Sequence, residues 1–128
     1  MAIVRDFMSP ELTVLSPEQD VIRAMQLLID REISGAPVTD ARGNLLGLLT
    51  QRDCLNAAFQ ASYHGESAGR VEDYMTRDVE TISAATTLVE TIERFYRSSR
   101  RRFPVIEENR LVGQISRRDV LRAFLEMI

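Results

Sequence analysis

A long internal repeat constrains this chain of 128 residues more than any other feature. When the chain is shifted by 67 positions, VRDFMSPELTVLS (Val4–Ser16) aligns with VEDYMTRDVETIS (Val71–Ser83). Further along, the offset falls to 66, and GLLTQRDCL (Gly47–Leu55) aligns with GQISRRDVL (Gly113–Leu121). The chain is therefore a tandem duplication, and both halves are expected to fold alike.

Each half predicts the element order β-α-β-β-α, so the fold class is α/β. The first half predicts a strand at Thr13–Leu15, a helix from Ser16, strands at Pro37–Thr39 and Leu45–Leu49, and a helix from Thr50 to about Phe59. The second predicts a strand at Glu80–Ile82, a helix from Ser83 to about Ser98, strands at Phe103–Ile106 and Leu111–Ile115, and a helix from Ser116. Since about 60 residues bury little surface alone, the halves are expected to pack face to face.

Local signals suggest where the elements begin and end. Ser16 is the expected N-cap of the first long helix, with Pro17 in the first turn and Gln19 as the capping-box partner. Gly35 follows that helix and is expected to take a positive φ. The predicted domains are repeats at 1–62 and 71–128, joined by a linker at 63–70 that is rich in small polar residues.

Composition fits a globular protein, with 45% hydrophobic and 27% charged residues. The net charge of −3 argues against general nucleic-acid binding, and no apolar run reaches the roughly 18 residues that a membrane span needs. Cys54, the single cysteine, excludes an internal disulfide and is expected to be buried in a protein of the reducing cytoplasm. The lone histidine, His64, is expected to be solvated.

The motifs of common enzyme classes are absent from the sequence. It contains no P-loop, no G-x-G-x-x-G, no zinc-ligand spacing and no nucleophile elbow. One histidine and one cysteine in separate contexts form no acid–base constellation. We therefore expect no catalytic residues, no metal site and no required cofactor.

Three short patterns, each present twice and in the same order, carry a family resemblance. They are V-x-D-[FY]-M-[ST], a mid-repeat Pro-Val at Pro37 and Pro104, and the closing G-x-[LI]-[ST]-x-R-D-[CV]-L. Together they resemble a CBS-domain pair, also called a Bateman module. The resemblance implies tandem repeats with pseudo-twofold symmetry, and clefts between them that bind AMP, ADP, ATP or S-adenosylmethionine as regulatory ligands. It also implies a homodimer.

Two matched pairs of residues are the first candidates for ligand binding: Thr50 with Asp53, and Ser116 with Asp119. A structural interpretation suffices for both, because a hydroxyl at the N-cap and an acid at the third helical position satisfy free backbone N–H groups. A binding interpretation uses the same geometry: a helix N-terminus attracts phosphate, and an Asp can accept from both ribose hydroxyls. The resemblance implies that the Asp holds ribose and that the Ser or Thr lies near phosphate.

The arginines at Arg100–Arg102 are the next candidates. All 16 basic residues of the chain are arginine, and 71–128 contains ten of them. The run could be a solvated helix end, where cations suit the helix dipole. The resemblance implies instead that Arg101 and Arg102 contact phosphate. The first half has Ile33–Ala36 at this place, without charge, so the two clefts are expected to differ.

The remaining candidates line the base pocket in the family that the chain resembles. They are Thr13 and Val14, Thr81 and Ile82, and the apolar segments around Pro37 and Pro104. The alternative for the apolar segments is a place in the hydrophobic core.

The sequence thus predicts a sensor of adenine nucleotides that acts on an effector protein in trans. A structural dimerisation module with ligand-free clefts is the alternative. A third hypothesis, nucleic-acid binding through the arginines of the second half, is opposed by the acidic balance.

Overall fold

The structure, a computed structural model, describes residues 1–64 and 68–128, and of His64 only the backbone. The chain divides into two compact units. The first-repeat unit is Thr13–Val79, and the second-repeat unit combines Met1–Leu12 with Glu80–Ile128. The opening twelve residues therefore fold with the second repeat, whose own opening segment folds with the first.

The helices and strands follow the predicted order except at the first predicted strand, and the structure adds a short helix near the start and a 3₁₀ turn at Val71–Asp73. The helices are α1 (Val4–Phe7), α2 (Val21–Asp30), α3 (Gln51–His64), α4 (Leu88–Arg97) and α5 (Arg117–Met127), with a 3₁₀ turn at Val71–Asp73. The strands are β1 (Gly35–Thr39), β2 (Leu45–Thr50), β3 (Ile82–Ser83), β4 (Arg102–Glu107) and β5 (Arg110–Ser116). Within the described ranges, no helix is long and apolar enough to cross a membrane.

The sheet of the first-repeat unit is an antiparallel hairpin of β1 and β2. The Asp40 side chain closes its turn by accepting from the backbone N–H groups of Arg42 (2.8 Å) and Asn44 (3.0 Å). The bond from Asn44 is the main reason that the pKa of Asp40 is lowered. The strand predicted at Thr13–Leu15 is reduced to one parallel bridge between Leu15 and Val38.

The sheet of the second-repeat unit has three strands in the order β3-β4-β5. β3 runs parallel to β4, whereas β4 and β5 form an antiparallel hairpin. The two-residue loop of this hairpin, Glu108 and Asn109, has φ values of 51° and 67°. Positive φ at both loop residues matches the right-handed twist of the paired strands, and the two strands predicted here do form a hairpin.

The predicted starts of α2 and α4 are wrong. α2 begins after Asp20, whose carboxylate accepts from the Ile22 N–H at 2.8 Å, and not after Ser16. α4 begins after Thr87 and not after Ser83. The segment that was expected to open α2 makes long-range bonds instead: the carbonyls of Pro17 and Gln19 accept from the backbone of the 3₁₀ turn at Val71–Asp73.

Two further expectations are wrong: a positive φ at Gly35, and an end of α3 near Phe59. The positive φ at the end of α2 belongs to Glu32 (55°) and not to Gly35. Gly35 lies in β1, where an added Cβ would meet the Leu49 carbonyl oxygen at 2.9 Å. α3 continues to His64 instead of ending near Phe59, and part of the predicted linker, residues 65–67, lies outside the described residues.

Each unit has its own hydrophobic core. The core of the first-repeat unit includes Leu15, Val21, Ala24, Leu28, Ala36, Val38, Leu49, Cys54, Ala57, Val71 and Met75. The core of the second-repeat unit includes Val4, Ile82, Ala84, Leu88, Phe95, Phe103, Val105, Ile115, Val120 and Ala123. Each core therefore includes at least one residue from the opening motif of the other repeat.

The glycine of the closing motif is explained by close backbone approach. A Cβ at Gly113 would lie 2.7 Å from the Ser9 carbonyl oxygen, and one at Gly47 would lie 2.7 Å from that of Thr76. Such distances would force the paired backbone segments apart. The opening motif ends at Ser9 and Thr76, so the two motifs of each unit fit directly against each other.

Candidate functional site

The N-termini of α3 and α5 have the same capping geometry. Asp53 accepts from the Thr50 N–H at 2.9 Å, and Thr50 Oγ1 accepts from the Asp53 N–H at 3.1 Å. Ser116 and Asp119 repeat these bonds at 2.9 and 3.1 Å. The capping interpretation of both pairs is confirmed. All four side chains are partly exposed, so the carboxylates remain accessible for further hydrogen bonds.

Two arginines of the second-repeat unit flank the start of α5. Arg102 lies opposite Ser116 in the β4–β5 ladder, and the Arg101 carbonyl accepts from the Arg117 N–H at 3.0 Å. Both Arg101 and Arg102 are exposed, and within the described residues neither forms an ion pair. Their neighbour Arg100 differs, because it pairs with Glu80 at 3.4 Å. The backbone thus places two arginines that have no ion-pair partner among the described residues beside the Ser116–Asp119 pair.

The corresponding segment of the first-repeat unit, Ile33–Ala36, carries no cation. The Ser34 carbonyl accepts from the Gln51 N–H at 3.0 Å, which repeats the bond between Arg101 and Arg117. Another candidate of this unit does contact an arginine, because Arg31 donates to Thr13 Oγ1 at 2.9 Å. The sequence reasoning missed Arg31. It follows α2 directly, and only the fold reveals its contact with Thr13.

The candidates for the base pocket differ in their exposure. Val14 is 47% exposed and Thr13 is partly exposed, so both have free surface. Ile82 is buried in the core and pairs with Val105. The Thr81 carbonyl, which could have bound an adenine edge, accepts a hydrogen bond from Arg94 at 2.9 Å.

Arg94 is a second residue that the sequence reasoning missed. Its guanidinium lies 4.9 Å from the centroid of the Phe103 ring while it bonds to Thr81. The stacking is a favourable cation–π contact and fixes the side chain between β3 and β4. No motif marks Arg94. Its only signal is a position on α4 beside the buried stripe of Leu88, Thr91 and Phe95.

The apolar segments around the mid-repeat prolines lie in the two cores. Ala36, Val38, Phe103 and Val105 are at most 1% exposed. Pro37 and Pro104 are buried as well. For Ala36, Val38, Phe103 and Val105, the core interpretation is confirmed.

Cys54 follows Asp53 on α3 and is buried, as predicted. Burial raises the pKa of its thiol, and the negative charge of Asp53 adds to the effect. The thiol is therefore neutral at physiological pH and behaves as a small apolar core residue. The His64 side chain lies outside the described residues. Among the residues described, no cluster of three or more His, Cys, Asp or Glu side chains could hold a metal ion.

The described geometry agrees with comparisons to known proteins. The chain is similar to CBSX2 in complex with AMP, with a TM-score of 0.84, 29% identity, and coverage of 99% of this chain and 98% of that one. CBSX2 is a CBS-pair protein of Arabidopsis thaliana. Among curated proteins the chain is similar to MJ1225 of Methanocaldococcus jannaschii, at 29% identity over 93% of this chain.

It is also similar to the inosine-5′-monophosphate dehydrogenase of the same organism, at 32% identity over 88% of this chain. The chain spans 41% of the length of MJ1225 and 21% of that of the dehydrogenase. The similarity therefore concerns one part of each protein. The family model of the CBS domain matches residues 4–59 and 71–126, which include both capped aspartates. The chain belongs to the CBS-domain family and carries two copies of the domain in tandem.

Proposed function

We propose that this chain is a regulatory module that binds an adenosine-containing ligand through the Ser116–Asp119 pair. The observation that carries the proposal is a partly exposed carboxylate beside two exposed arginines that form no ion pair within the described residues. A carboxylate can accept from the two ribose hydroxyls, and a guanidinium can grip phosphate with parallel hydrogen bonds. The similarity to CBSX2, which was solved with AMP, supports the same ligand class.

The charge of the residues near each capped aspartate indicates which class of ligand that site favours. Arg101 and Arg102 favour a phosphorylated ligand such as AMP, ADP or ATP beside Asp119. The uncharged Ile33–Ala36 segment beside Asp53 is better suited to a ligand without phosphate, such as S-adenosylmethionine. We further propose a cytoplasmic protein that passes its signal to an effector in trans, a location that the single reduced thiol fits.

A thermal-shift panel of AMP, ADP, ATP and S-adenosylmethionine tests this function. A ligand present at 100 times its Kd adds about 2.7 kcal/mol to the free energy of unfolding. For a chain of this size we expect the melting temperature to rise by several degrees with at least one ligand. Inosine monophosphate and inorganic phosphate are the controls. Unchanged melting curves across the panel would contradict the proposal.

The alternative is a structural module, which the complete capping bonds favour: both aspartates already accept hydrogen bonds without a ligand. In that case the duplicated motif serves helix stability alone. The panel then gives no shift, and the search for function turns to protein partners.

We also propose that the module forms a homodimer through α4 and α5. Their outer faces carry Ile92, Tyr96, Leu121 and Phe124 around a groove of about 520 Å³. Tyr96 is 88% and Leu121 is 62% exposed, which is a large apolar surface to leave in water. A second copy is the proposed occupant because paired modules are what the family resemblance implies.

Leu121→Asp is expected to shift the assembly from dimer to monomer, since a carboxylate in an apolar contact would lose its hydration. Sedimentation velocity against the monomer mass of 14.5 kDa measures the shift. Arg122→Ala, the neighbouring exposed residue, is the matched control and should remain dimeric. A dimer that survives Leu121→Asp at the same concentration would place the contact elsewhere.

A further inference from the structure

The two capped aspartates differ in one contact. Thr76 lies in the first-repeat unit, and its hydroxyl is 3.3 Å from Oδ1 and 3.2 Å from Oδ2 of Asp53. Asp53 Oδ2 also accepts from the Thr50 N–H. The single Thr76 hydroxyl proton is therefore within reach of both carboxylate oxygens of Asp53, one of which also accepts from the backbone.

The counterpart of Thr76 is Ser9, and its backbone is held in the same way. Thr76 exchanges two backbone hydrogen bonds with Leu48 at 2.8 and 2.9 Å, and Ser9 exchanges two with Gln114, both at 2.9 Å. The side chains differ, however. In the described part of the chain, the Asp119 carboxylate accepts only from the Ser116 backbone.

The two hydroxyls also differ in their sequence context. Ser9 precedes Pro10, which restricts its backbone to extended conformations. Thr76 precedes Arg77 and is β-branched, so that few χ1 rotamers are open to it. Thr76 is exposed, and its backbone bonds do not involve the hydroxyl. Rotation about χ1 alone can release Asp53.

We infer that Thr76 is a specificity-determining residue that competes with a ribose diol for the Asp53 carboxylate. The inference rests on the proposed function. A ribose diol that binds both oxygens of Asp53 competes with the Thr76 hydroxyl for their lone pairs, whereas in the described part of the chain no side chain donates to Asp119. Adenosine ligands therefore fill the Asp119 site first, and the Asp53 site responds only at higher ligand concentration.

The expected effect follows from the strength of a single hydrogen bond. Such a bond contributes modestly in partly exposed surroundings, so its competition weakens adenosine binding at Asp53 by about three- to tenfold. The competition for Asp53 depends on the hydroxyl of Thr76 and not on its methyl group. Thr76→Val should therefore release the Asp53 site, and Thr76→Ser should keep it restrained.

The test isolates the Asp53 site in an Asp119→Asn background and titrates the full chain with adenosine by calorimetry. Adding Thr76→Val should raise the affinity about three- to tenfold, while Thr76→Ser leaves it within twofold. With 2′-deoxyadenosine, which lacks one hydroxyl of the diol, Thr76→Val should give a smaller gain. Ser9→Ala in an Asp53→Asn background is the matched control and should not change affinity at Asp119.

The outcomes separate the two proposals. If AMP binds the unmodified chain and the binding is lost in Asp119→Asn, the proposed function stands. If Thr76→Val then leaves adenosine affinity unchanged or weakens it, the inference about Thr76 is overturned alone. If neither AMP nor adenosine binds any variant, the proposed function is overturned, and the inference with it.

Discussion

Phe103→Ala is expected to lower the free energy of unfolding by about 3–5 kcal/mol, because truncation of a buried aromatic leaves a cavity that the core cannot close. Phe103 is 0% exposed and packs against Phe95 with ring centroids 4.6 Å apart. It also carries the guanidinium of Arg94 on its face. Domains of this kind have a total stability of about 5–15 kcal/mol, so the loss is a large fraction of the total.

Urea denaturation at fixed protein concentration measures this loss. Tyr63→Ala is the control: that ring is 76% exposed and makes one edge contact with Phe59, so its removal should cost at most about 1.5 kcal/mol. Phe103→Ala should also free Arg94 from its position beside Thr81, because the ring beneath its guanidinium is removed. A loss below about 1 kcal/mol for Phe103→Ala would show that the core around β4 is not packed as described.

The features that the sequence predicted well are those with local causes. The hairpins follow from apolar strands separated by short polar turns, and Asp40 and Asn109 lie in those turns. The capping pairs follow from a hydroxyl and an acid three residues apart, which bond to each other's backbone at a helix start. These patterns involve a few neighbouring residues, so no knowledge of distant contacts is needed.

The failures arise where two local signals compete. Ser16 and Asp20 are both acceptable N-caps, and propensity does not choose between them. The choice is made by the 3₁₀ turn at Val71–Asp73, which bonds to the carbonyls of Pro17 and Gln19 and removes that segment from the helix. The opening residues of one repeat thus set the helix start of the other, and this exchange is invisible in either repeat alone.

The sequence predicted the capping motif of the candidate site but not all of the side chains that surround it. Asp53 and Asp119 are equivalent in sequence and in capping geometry. Their surroundings differ through Thr76, whose hydroxyl approaches Asp53 from another segment of the chain. The duplicated closing motif therefore establishes a common backbone frame, while the further contact at Asp53 comes from a residue outside that motif.

Asp119→Asn is expected to weaken AMP binding by about 10- to 100-fold. An ionised carboxylate offers two acceptor oxygens to the ribose diol, whereas an amide offers one and turns an N–H toward the other hydroxyl. Each hydrogen bond to a charged group contributes about 1.5–3 kcal/mol, and each 1.4 kcal/mol is tenfold in affinity. Titration calorimetry with AMP measures the change.

A measurement of stability distinguishes a loss of AMP binding from a loss of structure in Asp119→Asn. The asparagine oxygen can still accept from the Ser116 N–H, so the variant should lose only the favourable charge near the helix N-terminus, about 0.3–1 kcal/mol. Glu126→Gln, a neutralised carboxylate at the far end of α5, controls for net charge and should bind AMP normally. If Asp119→Asn lowers the melting temperature slightly but binds AMP as tightly as the unmodified chain, Asp119 is a helix cap and not a ribose ligand. If AMP affinity falls while stability is nearly unchanged, the carboxylate that caps α5 also holds the nucleotide.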